Sequence, residues 1–255
     1  MAEQAIYPSL KGRVVFVTGG GSGIGAAIVE ALCRQGARVF FVDIDREASA
    51  GLVERIDAAG HVPPEFIECD LRNIAALRAA IDGVVEKAGP IRVLVNNAAN
   101  DDRHEIADVT PDYFDDRMAV NMKHQFFAAQ AVSAAMAEAG GGSIINMSSI
   151  TWLIGFTGLP IYVTAKAAIV GMTRALAREL GPQNIRVNAV LPGWIMTERQ
   201  VDKWLDAEGE AEMMRRQCLK RRLMPEEVAS IVAFLAADDS GICTNQTFVA
   251  DGGWA

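Results

Sequence analysis

The run Val14-Val15-Phe16-Val17-Thr18-Gly19-Gly20-Gly21-Ser22-Gly23-Ile24-Gly25 carries an apolar stretch into a glycine-rich turn and out into an alternating apolar helix. Few folds accept that order. Glycines let the chain turn tightly and let a phosphate approach the backbone N–H groups at a helix start, where the peptide dipoles favour an anion. Such a turn is weak evidence alone, so its context decides. The next apolar stretch, Phe40-Phe41-Val42, ends in Asp43, at about the 20-residue offset of a carboxylate that accepts hydrogen bonds from an adenosine ribose. Asp43 would also repel a 2′-phosphate, and Ser22 stands where a basic residue would assist one, so NAD is expected over NADP. Arg46 could soften that preference, and a strand-end cap is the plainer reading of Asp43. Asp70, in Cys69-Asp70-Leu71, is open to two readings, adenine contact or cap of the following helix.

The strand-then-helix order repeats. Strands are expected at 13–17, 38–42, 65–68, 93–96, 143–147, 186–191 and 247–250, and helices at 24–35, 46–59, 74–88, 111–139, 162–180 and 225–237. This alternation predicts an α/β fold, a doubly wound parallel sheet of seven strands with helices on both faces. With 255 residues, 51% of them hydrophobic, one domain over 1–255 accounts for the chain. The segment 194–224 breaks the alternation and is rich in charge and methionine, so it is expected to form a substrate lid. A net charge of −8 without a basic tract argues against nucleic acid or acidic membranes as partners. No stretch reaches the ~18 apolar residues of a membrane span, and residues 1–12 lack the pattern of a secretory leader. Four separated cysteines without a CxxC, and three scattered histidines, predict reduced thiols, a cytoplasmic setting and no metal site.

The chemistry lies further on. Tyr162 and Lys166 stand four residues apart in an expected helix, and Ser149 lies thirteen residues before the tyrosine. That spacing puts phenol and ammonium on one helix face. A phenol titrates near 10 by itself, and a neighbouring cation is expected to lower that value so that Tyr162 exchanges protons with an alcohol. Ser149 can hold the reacting oxygen without titrating.

Taken together, Thr18 to Gly25, Asp43, Asp70, Asn96-Asn97-Ala98, Asn121, Ser149, Tyr162, Lys166, Pro192-Gly193 and Thr197 resemble the short-chain dehydrogenase/reductase family over about 12–255. The resemblance implies a Rossmann-type domain, a homotetramer, and a nicotinamide dinucleotide. It implies that Asn121, Ser149, Tyr162 and Lys166 form the catalytic set, with Asn121 holding a water that joins the lysine to solvent. For the cofactor it implies Gly19, Gly21, Ser22, Gly23, Ile24, Asp43, Asp70, Leu71, Asn97, Ala98, Tyr162, Lys166, Pro192, Gly193, Ile195 and Thr197. One position departs from the family pattern: Asn96-Asn97-Ala98 is followed by Ala99 in place of glycine. A negative φ there would be tolerated and a positive one strained.

Substrate class must come from the residues around the reacting oxygen. The polar run Asn97 to His104 suits a ligand bearing several hydroxyls better than an acyl chain or steroid. Asn100, Asp101, Arg103, Ser149, Trp152 and Trp194 are the candidate substrate residues, with the two tryptophans available to stack on a sugar face. This run, with Ser148-Ser149-Ile150-Thr151-Trp152, Gln217-Cys218-Leu219-Lys220 and the Asp251-Gly252-Gly253-Trp254 ending, resembles bacterial NAD-dependent aldose 1-dehydrogenases of the xylose and arabinose type. The implied reaction is oxidation of a sugar at C1 to the aldonolactone, with Tyr162 as acid/base. Another polyol or secondary alcohol, reduction of a 3-oxoacyl group, and a non-catalytic NAD-binding sensor are the alternatives.

Overall fold

In the computed structural model, which describes residues 5–255, every expected strand is present with its ends shifted by no more than one residue. Residues 1–4, part of the expected domain and of the stretch read for a leader, lie outside the described residues. The strands are β1 Val14–Thr18, β2 Arg38–Asp43, β3 Glu65–Glu68, β4 Val93–Asn96, β5 Gly142–Met147, β6 Ile185–Pro192 and β7 Thr247–Ala250. They form one parallel sheet in the order β3-β2-β1-β4-β5-β6-β7.

Alternation along β1 explains the two layers. Val15 and Val17 enter one core with Phe41, Leu52, Val95 and Val232, whereas Val14 and Phe16 enter the other with Phe40, Leu77, Ile81 and Val132. Successive strand side chains point to opposite faces, so a strand buried on both sides is apolar throughout. Burial of each such side chain contributes about 1.5–3 kcal/mol. The covering helices are α1 Gly23–Arg34, α2 Arg46–Ala58, α3 Ile74–Ala88, α4 Pro111–Met118, α5 His124–Glu138, α6 Pro160–Leu180, α7 Glu198–Lys203, α8 Ala207–Arg216 and α9 Pro225–Ala236.

Two expectations need correction. The single helix expected over 111–139 is divided, because a π-helical turn at Ala119–Lys123 separates α4 from α5. Asn121 sits in that turn, its amide donating to the Arg117 carbonyl at 2.9 Å, and such a side chain competes with the helical ladder. Asp70 does not cap α3. Asn73 does so, accepting from the Ala76 N–H at 3.1 Å, while the Asp70 carboxylate holds the Arg72 guanidinium at 2.6 Å.

Strand order reverses between β1 and β4, both of which start from the middle of the sheet and hand the chain to opposite sides. A crevice therefore opens beyond their carboxyl ends. The glycine turn after β1 and the Asn97-Ala98 turn after β4 meet there.

Candidate active site

The glycine turn is built by close approach. A Cβ on Gly25 would lie 1.8 Å from the Gly19 carbonyl oxygen and 2.6 Å from the Asn97 amide nitrogen, so only glycine lets α1 seat on the turn. Gly19 and Gly23 have φ of +66° and +54°, conformations natural to glycine. Asn97 locks the other wall, donating to the Gly19 carbonyl at 2.8 Å, while the Asn97 and Ala98 N–H groups donate to Thr18 Oγ1. Ala99 does not have a positive φ, so its extra methyl is borne without backbone strain.

This turn fits a dinucleotide. Ser22 begins α1 without a side-chain capping bond, so the helix start presents N–H groups that a pyrophosphate can fill. A side chain on Gly21 would strike Ser49 Oγ at 2.5 Å and stand 3.1 Å from the Asp43 carboxylate. Asp43 accepts from Gly21 N–H at 2.8 Å, Ile44 N–H at 2.7 Å and Asp45 N–H at 3.0 Å, which aims it at the turn. Arg46 is turned away, paired with Glu68 at the surface. Leu71 is a buried core residue beside Asp70. At the far wall, Thr197 packs within 3.1 Å of where a Gly23 Cβ would stand, and it caps α7.

Beside the turn lies a cavity of about 220 Å³ whose lining includes Ser149, Tyr162, Lys166, Asn97, Pro192, Gly193, Ile195 and Thr197. Ser149 lies two residues beyond the end of β5 and caps the short turn that follows, its Oγ accepting from Thr151 N–H at 3.2 Å. Tyr162 and Lys166 share one face of α6. Lys166 is 1% exposed, with Nζ 5.3 Å from the Tyr162 ring centre and donating to the Met147 carbonyl at 2.9 Å. Burial pushes the ammonium down to about 7, with the Asp101 carboxylate opposing. Burial also pushes the Tyr162 phenol well up, the Asp101 charge adds to that, and the Ser149 hydroxyl acts the other way. The expected lowering of the phenol is therefore corrected: Tyr162 is raised, because burial dominates and Lys166 is not among the groups that shift it.

The Asn121 amide bonds to neighbouring backbone. Its Oδ1 accepts from Asn100 N–H at 2.9 Å, so it shapes the loop behind the cavity. Asn100 in turn accepts from Asp102 N–H at 2.8 Å and is not among the lining residues. Asp101 and Arg103 do line the cavity. Asp101 is bound by Gln200 Nε2 at 2.6 Å and Arg199 Nε at 3.1 Å, and the Arg103 guanidinium stacks over Trp204 at 4.1 Å. The two tryptophans proposed for stacking part company. Trp194 lines the cavity, whereas Trp152 packs with Ile150, Val170 and Leu191, off the lining.

Other walls were hidden from sequence reading. Trp254, Gln200, Leu159, Ile154 and Phe156 all reach the cavity. Trp254 arrives because the Asp251 carboxylate turns the C-terminal residues, accepting from Gly253 and Ala255 N–H groups at 2.8 and 2.7 Å. The signal present was the Asp251-Gly252-Gly253 turn, but its destination is set by tertiary packing.

Among the described residues, no cluster of three or more metal-ligating side chains is present, and no helix is long and apolar enough to cross a membrane.

The profile of a family described as enoyl-(acyl carrier protein) reductase matches residues 19–255. The chain is 52% identical over 252 residues to a D-xylose 1-dehydrogenase of Caulobacter vibrioides, covering 99% of each chain. It is 53% identical over 247 residues to a Rhizobium meliloti protein described as "Probable galactose dehydrogenase GalD", covering 97% of this chain and 96% of that one. A solved short-chain type dehydrogenase/reductase from Mycobacterium ulcerans superposes with a TM-score of 0.91 at 28% identity, covering 96% of this chain and 90% of that one. With its sheet order, its glycine turn and the meeting of Ser149, Tyr162 and Lys166, the chain belongs to the short-chain dehydrogenase/reductase family.

Proposed function

We propose that the protein oxidises a cyclic aldose at C1 to the aldonolactone with NAD. The observation that carries this reading is the convergence of Ser149, Tyr162, Lys166 and Asp101 on one small cavity beside the glycine turn. Its likeness to sugar dehydrogenases over nearly the whole chain supports the substrate class.

The family's nicotinamide dinucleotide, when bound, supplies the hydride acceptor for oxidation. The protein's residues do the rest. Ser149 donates to the anomeric oxygen and holds it at Tyr162. Tyr162 takes the hydroxyl proton as the C1–H bond breaks, so the oxygen's electron pair can close the lactone carbonyl. Lys166, anchored on the Met147 carbonyl, supplies positive charge to the phenol and to a ribose hydroxyl. Asn121, in its widened turn, keeps the loop behind Lys166 in place and is the station at which a water would carry the proton outward. Asp43 selects the unphosphorylated ribose. The segment 194–224, two short helices above the cavity, acts as the lid of this single catalytic domain. The working form is a cytoplasmic homotetramer.

A panel of aldoses, polyols, simple secondary alcohols and 3-oxoacyl thioesters, each tested with NAD and NADP, tests the reading. Aldoses with NAD should give the highest kcat/KM. Preferred turnover of another class would replace it, and tight NADH binding without any turnover would favour a sensor.

A further inference from the structure

Gln200 was not singled out by any sequence pattern, yet it joins the two sides of the cavity. Its Oε1 accepts the Trp194 indole N–H at 2.9 Å, and its Nε2 donates to Asp101 Oδ2 at 2.6 Å. All three residues line the cavity. The backbone N–H of Gln200 is itself fixed by the Thr197 hydroxyl, 3.3 Å away. Trp194 is held at its other end by α8: a Cβ on Gly209 would lie 2.8 Å from Cη2 and 3.2 Å from Cζ3 of the indole, so the ring edge rests on bare backbone. Arg199 braces Asp101 at 3.1 Å from α7, the helix that carries Gln200.

The bonds already made leave specific capacity unfilled. A primary amide has two donors and two acceptor lone pairs, and a carboxylate about four. Gln200 therefore retains one N–H and one lone pair, and Asp101 retains acceptor positions on both oxygens. Beside them stands the flat apolar face of Trp194. A ring with adjacent hydroxyls on its edge and C–H groups on its face meets both kinds of surface at once, which a simple alcohol cannot.

We propose that Gln200 and Gly209 are specificity-determining positioning residues, holding Trp194 and Asp101 as the stacking and hydrogen-bonding walls for a neutral monosaccharide ring. This rests on the aldose reading above. Gln200 acts from α7 and Gly209 from α8, so the segment over the cavity sets substrate choice through the placement of one indole.

Gly209→Ala and Gln200→Met test it, each assayed with D-xylose, D-galactose and cyclohexanol over a range of NAD concentrations, alongside thermal unfolding. Alanine is a better helix former than glycine, so Gly209→Ala should unfold at or above the parent's midpoint while raising aldose KM on the order of tenfold, with a much smaller change in kcat. Gln200→Met should lower the ratio of aldose to cyclohexanol kcat/KM in the same direction. Parent-like aldose KM in both variants, or equal losses for aldoses and cyclohexanol, would overturn the proposal while leaving the aldose activity standing. A parent enzyme inactive on every aldose would instead overturn the functional reading, and this inference with it.

Discussion

Lys166 Nζ stands 5.3 Å from the centre of the Tyr162 ring, yet its hydrogen bond goes to the Met147 carbonyl. The phenol, raised by burial and by Asp101, keeps its proton in the free protein at neutral pH. Oxidation needs the phenolate, whose fraction grows with pH. We therefore expect kcat/KM for oxidation to climb from neutral into the alkaline range, and Tyr162→Phe to remove both that limb and nearly all turnover while NADH affinity stays within a few-fold. A steady-state pH profile checks this. A flat profile, or a tyrosine-free variant that still turns over, would take Tyr162 out of the proton-transfer role.

On the proposed function cofactor choice falls to Asp43, whose neighbour Arg46 is paired with Glu68. Asp43→Ala should raise the NADP-to-NAD ratio of kcat/KM on the order of tenfold or more. It should also lower the unfolding midpoint, since three backbone N–H groups lose their acceptor. An unchanged ratio with a lowered midpoint would reduce Asp43 to a turn-forming residue.

Gly25 gives the sharpest steric prediction. An added methyl would sit 1.8 Å from the Gly19 carbonyl oxygen, which is backbone and cannot step aside as a side-chain tip can. Gly25→Ala should cost about 1–3 kcal/mol of stability and weaken NADH binding, measured by denaturant unfolding and fluorescence titration. Parent-like values for both would mean that the turn is more pliable than its packing indicates.

Sequence order exposed the sheet because β1, β2 and β4 are buried on both faces, which makes them continuous apolar runs bounded by Gly, Asp and Asn. Tyr162 and Lys166 were legible for a similar reason, since helical spacing alone puts them together. The π turn was not legible. Its cause is one amide, Asn121, bonding back to Arg117, inside a stretch whose composition reads as continuous helix. The places of Trp152 and Trp254 are set by tertiary packing: both pack against one small core cluster, but only Trp254, turned by Asp251, also lines the cavity. Gly209 looks like a weak point in α8 until the indole above it is seen.

His124 gives a stability prediction. It is fully buried between the Asn97-Ala98 turn and Lys166, donating from Nε2 to the Ala98 carbonyl at 3.1 Å. Burial, with the Lys166 charge adding to it, pushes its imidazole from 6.5 down to about 4. Between those values the unfolded chain binds a proton that the native protein does not, so stability falls as pH falls through that window. The unfolding midpoint should drop from pH 6.5 toward 4, and His124→Gln should show a shallower drop than the parent. Equal slopes would mean that the imidazole charges freely in the native state.

On the proposed function, hydride leaves C1 of a sugar whose hydroxyl faces Tyr162. The direct measurement uses an aldose deuterated at C1 with NAD, following both products by NMR. The expected products are aldonolactone and a reduced nicotinamide ring that carries the deuterium, formed at a rate slowed by the label. Reduced cofactor without deuterium, or a sugar oxidised at another carbon, would contradict it.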